Sequence, residues 1–192
     1  MLIENTDGNM IETDLLLWAI GRTPHTIGLG LEDIGVDLGK DGAVMVGDDN
    51  RTNVASIYAV GDVTNRVQLT PIAIREGHAF ADSVFGNNPR TVNYECIPTA
   101  VFSNPPIASV GLTEVEARAQ HADVKVYKSD FRAMKNVLAD RNERALYKMV
   151  VAGPEERVVG LHLIGPDSGE ILQAAAIAVK AKLTKQDYDD TV

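Results

Sequence analysis

One stretch, Ser56 to Pro71 (SIYAVGDVTNRVQLTP), constrains this chain more than any other. Ile57-Tyr58-Ala59-Val60 reads as a short apolar strand. Gly61-Asp62 breaks it and leaves one carboxylate at the strand's carboxyl end. After a polar loop, Thr70-Pro71 reads as a helix start. Thr70 is a good N-cap, and Pro71 at the first helical position lacks an amide that would be orphaned anyway. Ligands in open α/β sheets sit outside the carboxyl ends of strands. A carboxylate there accepts hydrogen bonds from vicinal hydroxyls, and a helix N-terminus offers free amides and a partial positive charge. Both ends together suit a cofactor with a polyol and an electron-accepting ring. Taken singly, a solvated loop acid and an ordinary capped helix explain them as well.

The rest of the chain narrows the class. Its 192 residues suffice for one or two domains with real cores, and 45% apolar with 23% charged residues is a globular balance. No apolar run is longer than Leu15 to Ile20, which is strand length, so no membrane span is expected. The N-terminus lacks the layout of a signal peptide, which points to a cytoplasmic protein. A net charge of −9 argues against general nucleic-acid binding. The single cysteine, Cys96, excludes a disulfide framework and reads as a partly buried apolar-like residue. No pair among His25, His78, His121 and His162 has metal-ligand spacing, so no metal is expected.

Residues 1–20 read as a β-hairpin turning at Asp7-Gly8, with Leu15–Ile20 as a strand buried on both faces. The run ends at Gly21-Arg22, where a glycine permits close ligand approach and the arginine provides a cation; a strand-end turn with a solvated Arg is the simpler alternative. Val36–Val46 reads as a second hairpin, and residues 71–85 as a helix stopped by Gly86-Asn87-Asn88-Pro89. His78, on that helix, is a candidate to line a site. Residues 86–92 form the best domain boundary. Beyond it come strands at 98–103, 107–112, 124–131, 145–151 and 158–164, a capping box at Thr113/Glu116, and a helix at 167–183. That helix is apolar on almost every side, so it is buried either in its own domain or in a subunit interface. Thr184 with Asp187 resembles another helix start. Both ends of the chain read as cut.

The segments AIGRTPHT (19–26), SIYAVGDV (56–63), LTPIAIREG (69–77), IPTAVFSNPPIASVGLTEVEA (97–117) and VVGLHLIG (158–165) resemble the pyridine nucleotide–disulfide oxidoreductases, in order over nearly the whole chain. LTP after the GD motif, FRAMKNVL (131–138) and LTKQDYDDTV (183–192) are most similar to the branch that reduces glutathione disulfide, of bacterial or plant type. The resemblance implies an α/β plus α+β chain: a partial FAD/NAD(P)-binding Rossmann-like domain followed by an α+β dimerisation domain. Residues 1–22 would end the NADPH domain, 23–91 would be the second half of the FAD domain, and 92–192 most of the domain that forms a homodimer. It implies that Gly61 and Asp62 hold the FAD ribityl chain, and that Leu69 and Thr70 set a helix N-terminus at the flavin pyrimidine edge. Gly21 and Arg22 would lie near NADPH, and His78 near the disulfide substrate, where some members carry an Arg.

The departures from the family pattern are as informative. The redox Cys-x4-Cys pair and both GxGxxG loops are absent, Cys96 matches neither cysteine, and the family's catalytic His would follow Val192. No catalytic residue is therefore expected within the chain, and it is expected to be inactive alone. The intact enzyme would pass electrons from NADPH through flavin and a dithiol to glutathione disulfide. Mercuric, dihydrolipoyl or trypanothione-type substrates are alternatives, as is a non-enzymatic, stand-alone dimerisation module.

Overall fold

A computed structural model describes residues 1–191; Val192, the last residue of the expected dimerisation segment, lies outside them. The chain divides into two units, Met1–Val92 and Asn93–Val192.

The first unit is poor in regular structure. β1 (Leu2–Glu4) and β2 (Met10–Glu12) pair antiparallel around the Asp7-Gly8 turn. The expected long second strand is not formed: Leu15–Ile20 makes no ladder, and Leu15, Leu17 and Trp18 are 81%, 83% and 72% exposed. A strand buried on both faces needs a neighbour on each edge, and β1–β2 is the only sheet among the described residues of this unit. The second hairpin is reduced to a single antiparallel bridge, Leu38 to Val44. Ile57–Val60 is likewise not a full strand, with one bridge from Tyr58 to Arg51. Val36, Ala43, Val44 and Ala79 supply a small apolar core. The regular helix here is α1 (Thr70–Val84), stopped at Phe85, whose amide bonds the Ala81 and Asp82 carbonyls.

The second unit is built on a five-stranded sheet of β3 (Thr99–Val101), β4 (Ile107–Gly111), β5 (Val124–Phe131), β6 (Ala145–Ala152) and β7 (Arg157–Ile164). Its order is β3-β4-β7-β6-β5, antiparallel throughout. Three helices accompany it: α2 (Glu114–Gln120), α3 (Met134–Leu138) and α4 (Ser168–Lys180), with a short α5 (Lys185–Asp189) at the end. Strand alternation sends Ala108, Val110, Leu161 and Leu163 to one face, where they meet Leu172, Ala176 and Val179 of α4. The 4- and 3-residue spacing of those helical positions makes the stripe that the sheet covers. Val151 pairs with Val158 but Val150 pairs with Gly160, so Val159 is an extra residue on β7. That bulge shifts the pleat by one and returns Val158 to the α4 face. On the opposite face, Lys148 reaches Glu114 of α2 at 2.9 Å, and Ala117 is fully buried. Both capping boxes read in the sequence, Thr113/Glu116 and Thr184/Asp187, are formed.

α4 answers the question left open by its composition in two parts. One face is buried in its own unit, whereas Ile171, Ala174 and Ile177 are exposed.

Candidate functional site

The site is assembled in the first unit from the end of the Ile57–Val60 segment and the start of α1. After Val60 the chain enters a 3-10 turn, Gly61–Thr64, closed by Asn65 in the left-handed region. Gly61 itself has φ +75°, a conformation that a side chain disfavours. A Cβ there would lie 3.0 Å from Ala73 Cβ, so the turn is pressed onto the flank of α1. The Gly61 amide donates to Glu76 Oε2 at 2.5 Å, and Thr64 Oγ1 donates to the Gly61 carbonyl at 2.8 Å. These bonds fix the turn and leave the Asp62 side chain pointing to solvent, about half exposed.

α1 begins differently from the sequence expectation. Leu69, not Thr70, is the N-cap residue, and Thr70 and Pro71 occupy the first helical turn. No side chain caps the helix; the Leu69 carbonyl accepts from Ile72 and Ala73 at 3.0 and 3.1 Å. Pro71 offers no amide, and among the described residues the Thr70 amide donates to no backbone carbonyl. The positive end of α1 is thus open beside the acidic turn.

Arg22 joins this arrangement from 40 residues away in sequence. Its Nη1 lies 3.1 Å from Asp62 Oδ2, its Nε 3.2 Å from Gln68 Oε1, and its Nη2 3.1 Å from the Gln68 carbonyl. Gly21, exposed and with φ +142°, precedes it. The structure therefore brings Gly21, Arg22, Gly61, Asp62, Leu69 and Thr70 to one region. His78 stands apart from it, exposed, two turns along α1, in a shallow depression with Arg75, Asp82 and Arg90.

Three contributors were not read from the sequence. Glu76 is fully buried yet sits between Ile72 and Ala79 on the apolar stripe of α1. An acid on such a stripe is a legible signal, since buried carboxyls require partners. Gln68 and Asn65 are the others: Gln68 Nε2 donates to Asn65 Oδ1 at 2.7 Å, and Asn65 Nδ2 to Asp41 Oδ2 at 2.5 Å. The bond from Asn65, with a second from the Ala43 amide, holds the Asp41 carboxyl below its usual range.

Residues 97–192 match the pyridine nucleotide-disulphide oxidoreductase dimerisation domain, and residues 2–77 match the pyridine nucleotide-disulphide oxidoreductase family. The chain belongs to this family. Within it, the chain is 50% identical to a glutathione reductase of Burkholderia cepacia over 190 residues, which is 99% of this chain and 42% of that protein. It is 47% identical to the chloroplastic/mitochondrial glutathione reductase of Pisum sativum over 177 residues, 92% of this chain and 32% of that protein. The HOCl-induced flavoprotein disulfide reductase RclA from Escherichia coli superposes with a TM-score of 0.88 at 28% identity, covering 98% of this chain and 43% of that one. The chain thus spans less than half the length of the relatives it matches. The fold class read from the sequence, a partial Rossmann-like unit followed by an α+β dimerisation domain, is the one found. Among the described residues, no helix is long and apolar enough to cross a membrane.

The donor set fits a flavin of this oxidoreductase family. A ribityl chain needs a hydroxyl acceptor, and Asp62 Oδ1 accepts no hydrogen bond among the described residues. A ring that gains negative charge on reduction needs a positive neighbour, and the open start of α1 is one.

Proposed function

We propose that this chain supplies the flavin-binding and dimer-forming part of an NADPH-dependent glutathione-disulfide reductase. The observation that carries the reading is the packing of the Gly61-Asp62 turn against α1, which puts an open carboxylate beside an open helix N-terminus. In this reading residues 1–22 belong to an NADPH domain, 23–91 to an FAD domain and 92–192 to the dimerisation domain.

FAD bound there would supply the two-electron relay that takes hydride from NADPH and passes both electrons through a redox dithiol to glutathione disulfide. The chain's own residues do the holding. Gly61 lets the turn approach α1, and Asp62 orients ribityl hydroxyls. Leu69 and Thr70 hold the first turn of α1 at the pyrimidine edge, where its dipole favours negative charge. The family resemblance assigns Gly21 and Arg22 to the neighbourhood of the nicotinamide cofactor and His78 to that of the disulfide. With one cysteine, the chain has no dithiol of its own, and it is expected to be inactive alone. The exposed stripe Ile171, Ala174 and Ile177 is the face expected to meet a second copy in a homodimer. A cytoplasmic compartment is consistent with a lone, unpaired Cys96.

The test is a steady-state assay of the flavin-loaded enzyme that carries this segment, with NADPH as donor. Glutathione disulfide should turn over at least tenfold faster than mercuric ion, lipoamide or trypanothione disulfide. Preference for one of those would overturn the substrate, and NADPH-dependent turnover by the purified 192-residue chain would overturn its expected inactivity.

A further inference from the structure

We infer that Arg22 is a positioning residue of the flavin half-site: its guanidinium clamps the loop between Asp62 and α1 and so sets the carboxylate relative to the helix N-terminus. This rests on the flavin reading above and goes beyond it, since Arg22 then acts on its own protein and not on the nicotinamide cofactor.

All three guanidinium nitrogens face that loop. Nη1 pairs with Asp62 at its start, while Nε and Nη2 grip the side chain and carbonyl of Gln68 just before the α1 cap. The loop has few backbone bonds to shape it: Asn65 N bonds the Asp62 carbonyl and Leu69 N the Val67 carbonyl, each at 3.0 Å, and the Val63 carbonyl accepts from Val44 N at 2.9 Å. Among the described residues, this leaves Val67 and Gln68 without a backbone–backbone bond to another segment. Side chains therefore set the span of its second half. From Gln68 the network continues through Asn65 to Asp41, so the loop is tied at its start, middle and end. A planar fork suits this task, because it can hold two anchors at fixed angles where an ammonium would act as a point charge. The pair also occupies only Oδ2 of Asp62, leaving Oδ1 for a hydroxyl.

The experiment uses the flavin-loaded enzyme that carries this segment, with Arg22→Met, Arg22→Lys, Gln68→Ala, Asp62→Asn and the Arg22→Met/Asp62→Asn double variant. The FAD dissociation constant and the KM for NADPH are measured for each. Arg22→Met should weaken FAD binding about fivefold, the scale of an exposed ion pair supported by two hydrogen bonds to Gln68, with NADPH KM within about twofold. Arg22→Lys should fall between, and Gln68→Ala should weaken FAD binding in the same direction without removing a charge. Arg22→Met should add little to Asp62→Asn, because the two act as one unit. A raised NADPH KM with unchanged FAD affinity overturns the inference, as do losses that add in full or an unaffected Gln68→Ala variant. If Asp62→Asn weakens FAD binding and Arg22→Met does not, only the role of Arg22 falls. If Asp62→Asn has no effect, the flavin reading falls and this inference with it.

Discussion

Gly61→Ala tests how the site is held, and its cost can be built from the structure. The residue has φ +75°, and an L side chain in that region costs about 1–2 kcal/mol. The new methyl would meet Ala73 Cβ at 3.0 Å, close enough that the turn or the helix must yield, which adds about 1 kcal/mol. Alanine's smaller unfolded-state freedom returns about 0.5 kcal/mol. The net loss is about 2 kcal/mol, a shift of about 1 M in a urea midpoint at the usual slope for a small unit. Urea unfolding of the chain, followed by circular dichroism with Gly61→Ala, Ala73→Gly and the double variant, separates the two causes. Ala73→Gly should recover the steric share in the double variant but leave the backbone share. A Gly61→Ala midpoint within about 0.2 M of the parent would refute the reasoning, and full recovery in the double variant would refute the backbone share.

Three further outcomes are expected. Leu172→Ala removes a fully buried side chain from the α4–sheet core and should cost about 3 kcal/mol; a loss below about 1 kcal/mol would mean that the core refills the space. Glu156 is held below the usual carboxyl range by hydrogen bonds from Lys125 and Tyr127, at 2.6 and 2.8 Å. Its contribution is complete above that usual range and is lost as pH falls through the lowered value, so Glu156→Gln should flatten the acid limb of a stability–pH curve; an unchanged limb contradicts this. Ile177, 71% exposed on the outer face of α4, should convert dimer to monomer when changed to Glu, with little loss of fold, and a persistent dimer by sedimentation would remove that face from the interface.

The two units differed in how much their sequences disclosed, and the reason is pairing. In the second unit every strand lies beside another, so sequence alternation has a ladder to form: β5 falls at 124–131 as read, with Val124 and Val126 half-buried and Lys125 and Tyr127 exposed. The capping boxes at Thr113 and Thr184 are local codes and were legible for that reason. Helix α3 went unread because its five residues hold too little pattern for a helical period. In the first unit, Leu15–Ile20 carries the composition of a buried strand, but composition does not supply the neighbouring strands that would bury it. At the site, Gly61-Asp62 and the start of α1 were visible as a strand break and a helix start. The Arg22–Gln68 bonds span 46 residues and leave no periodic trace, so the clamp emerged only in three dimensions. Leu69 rather than Thr70 is the cap because its backbone is still extended, at φ −130° and ψ 129°, while its carbonyl already accepts from Ile72 and Ala73, and Thr70 has entered the first helical turn.

The central claim is that Asp62 and the first turn of α1 are two ends of one flavin site. A crystal structure of the flavin-loaded enzyme carrying this segment tests it most directly. An Asp62 carboxylate oxygen is expected within about 3 Å of a ribityl hydroxyl, and the Leu69–Thr70 turn against the pyrimidine edge of the ring. A flavin seated elsewhere, with Asp62 in solvent and the start of α1 facing no part of the ring, would contradict it.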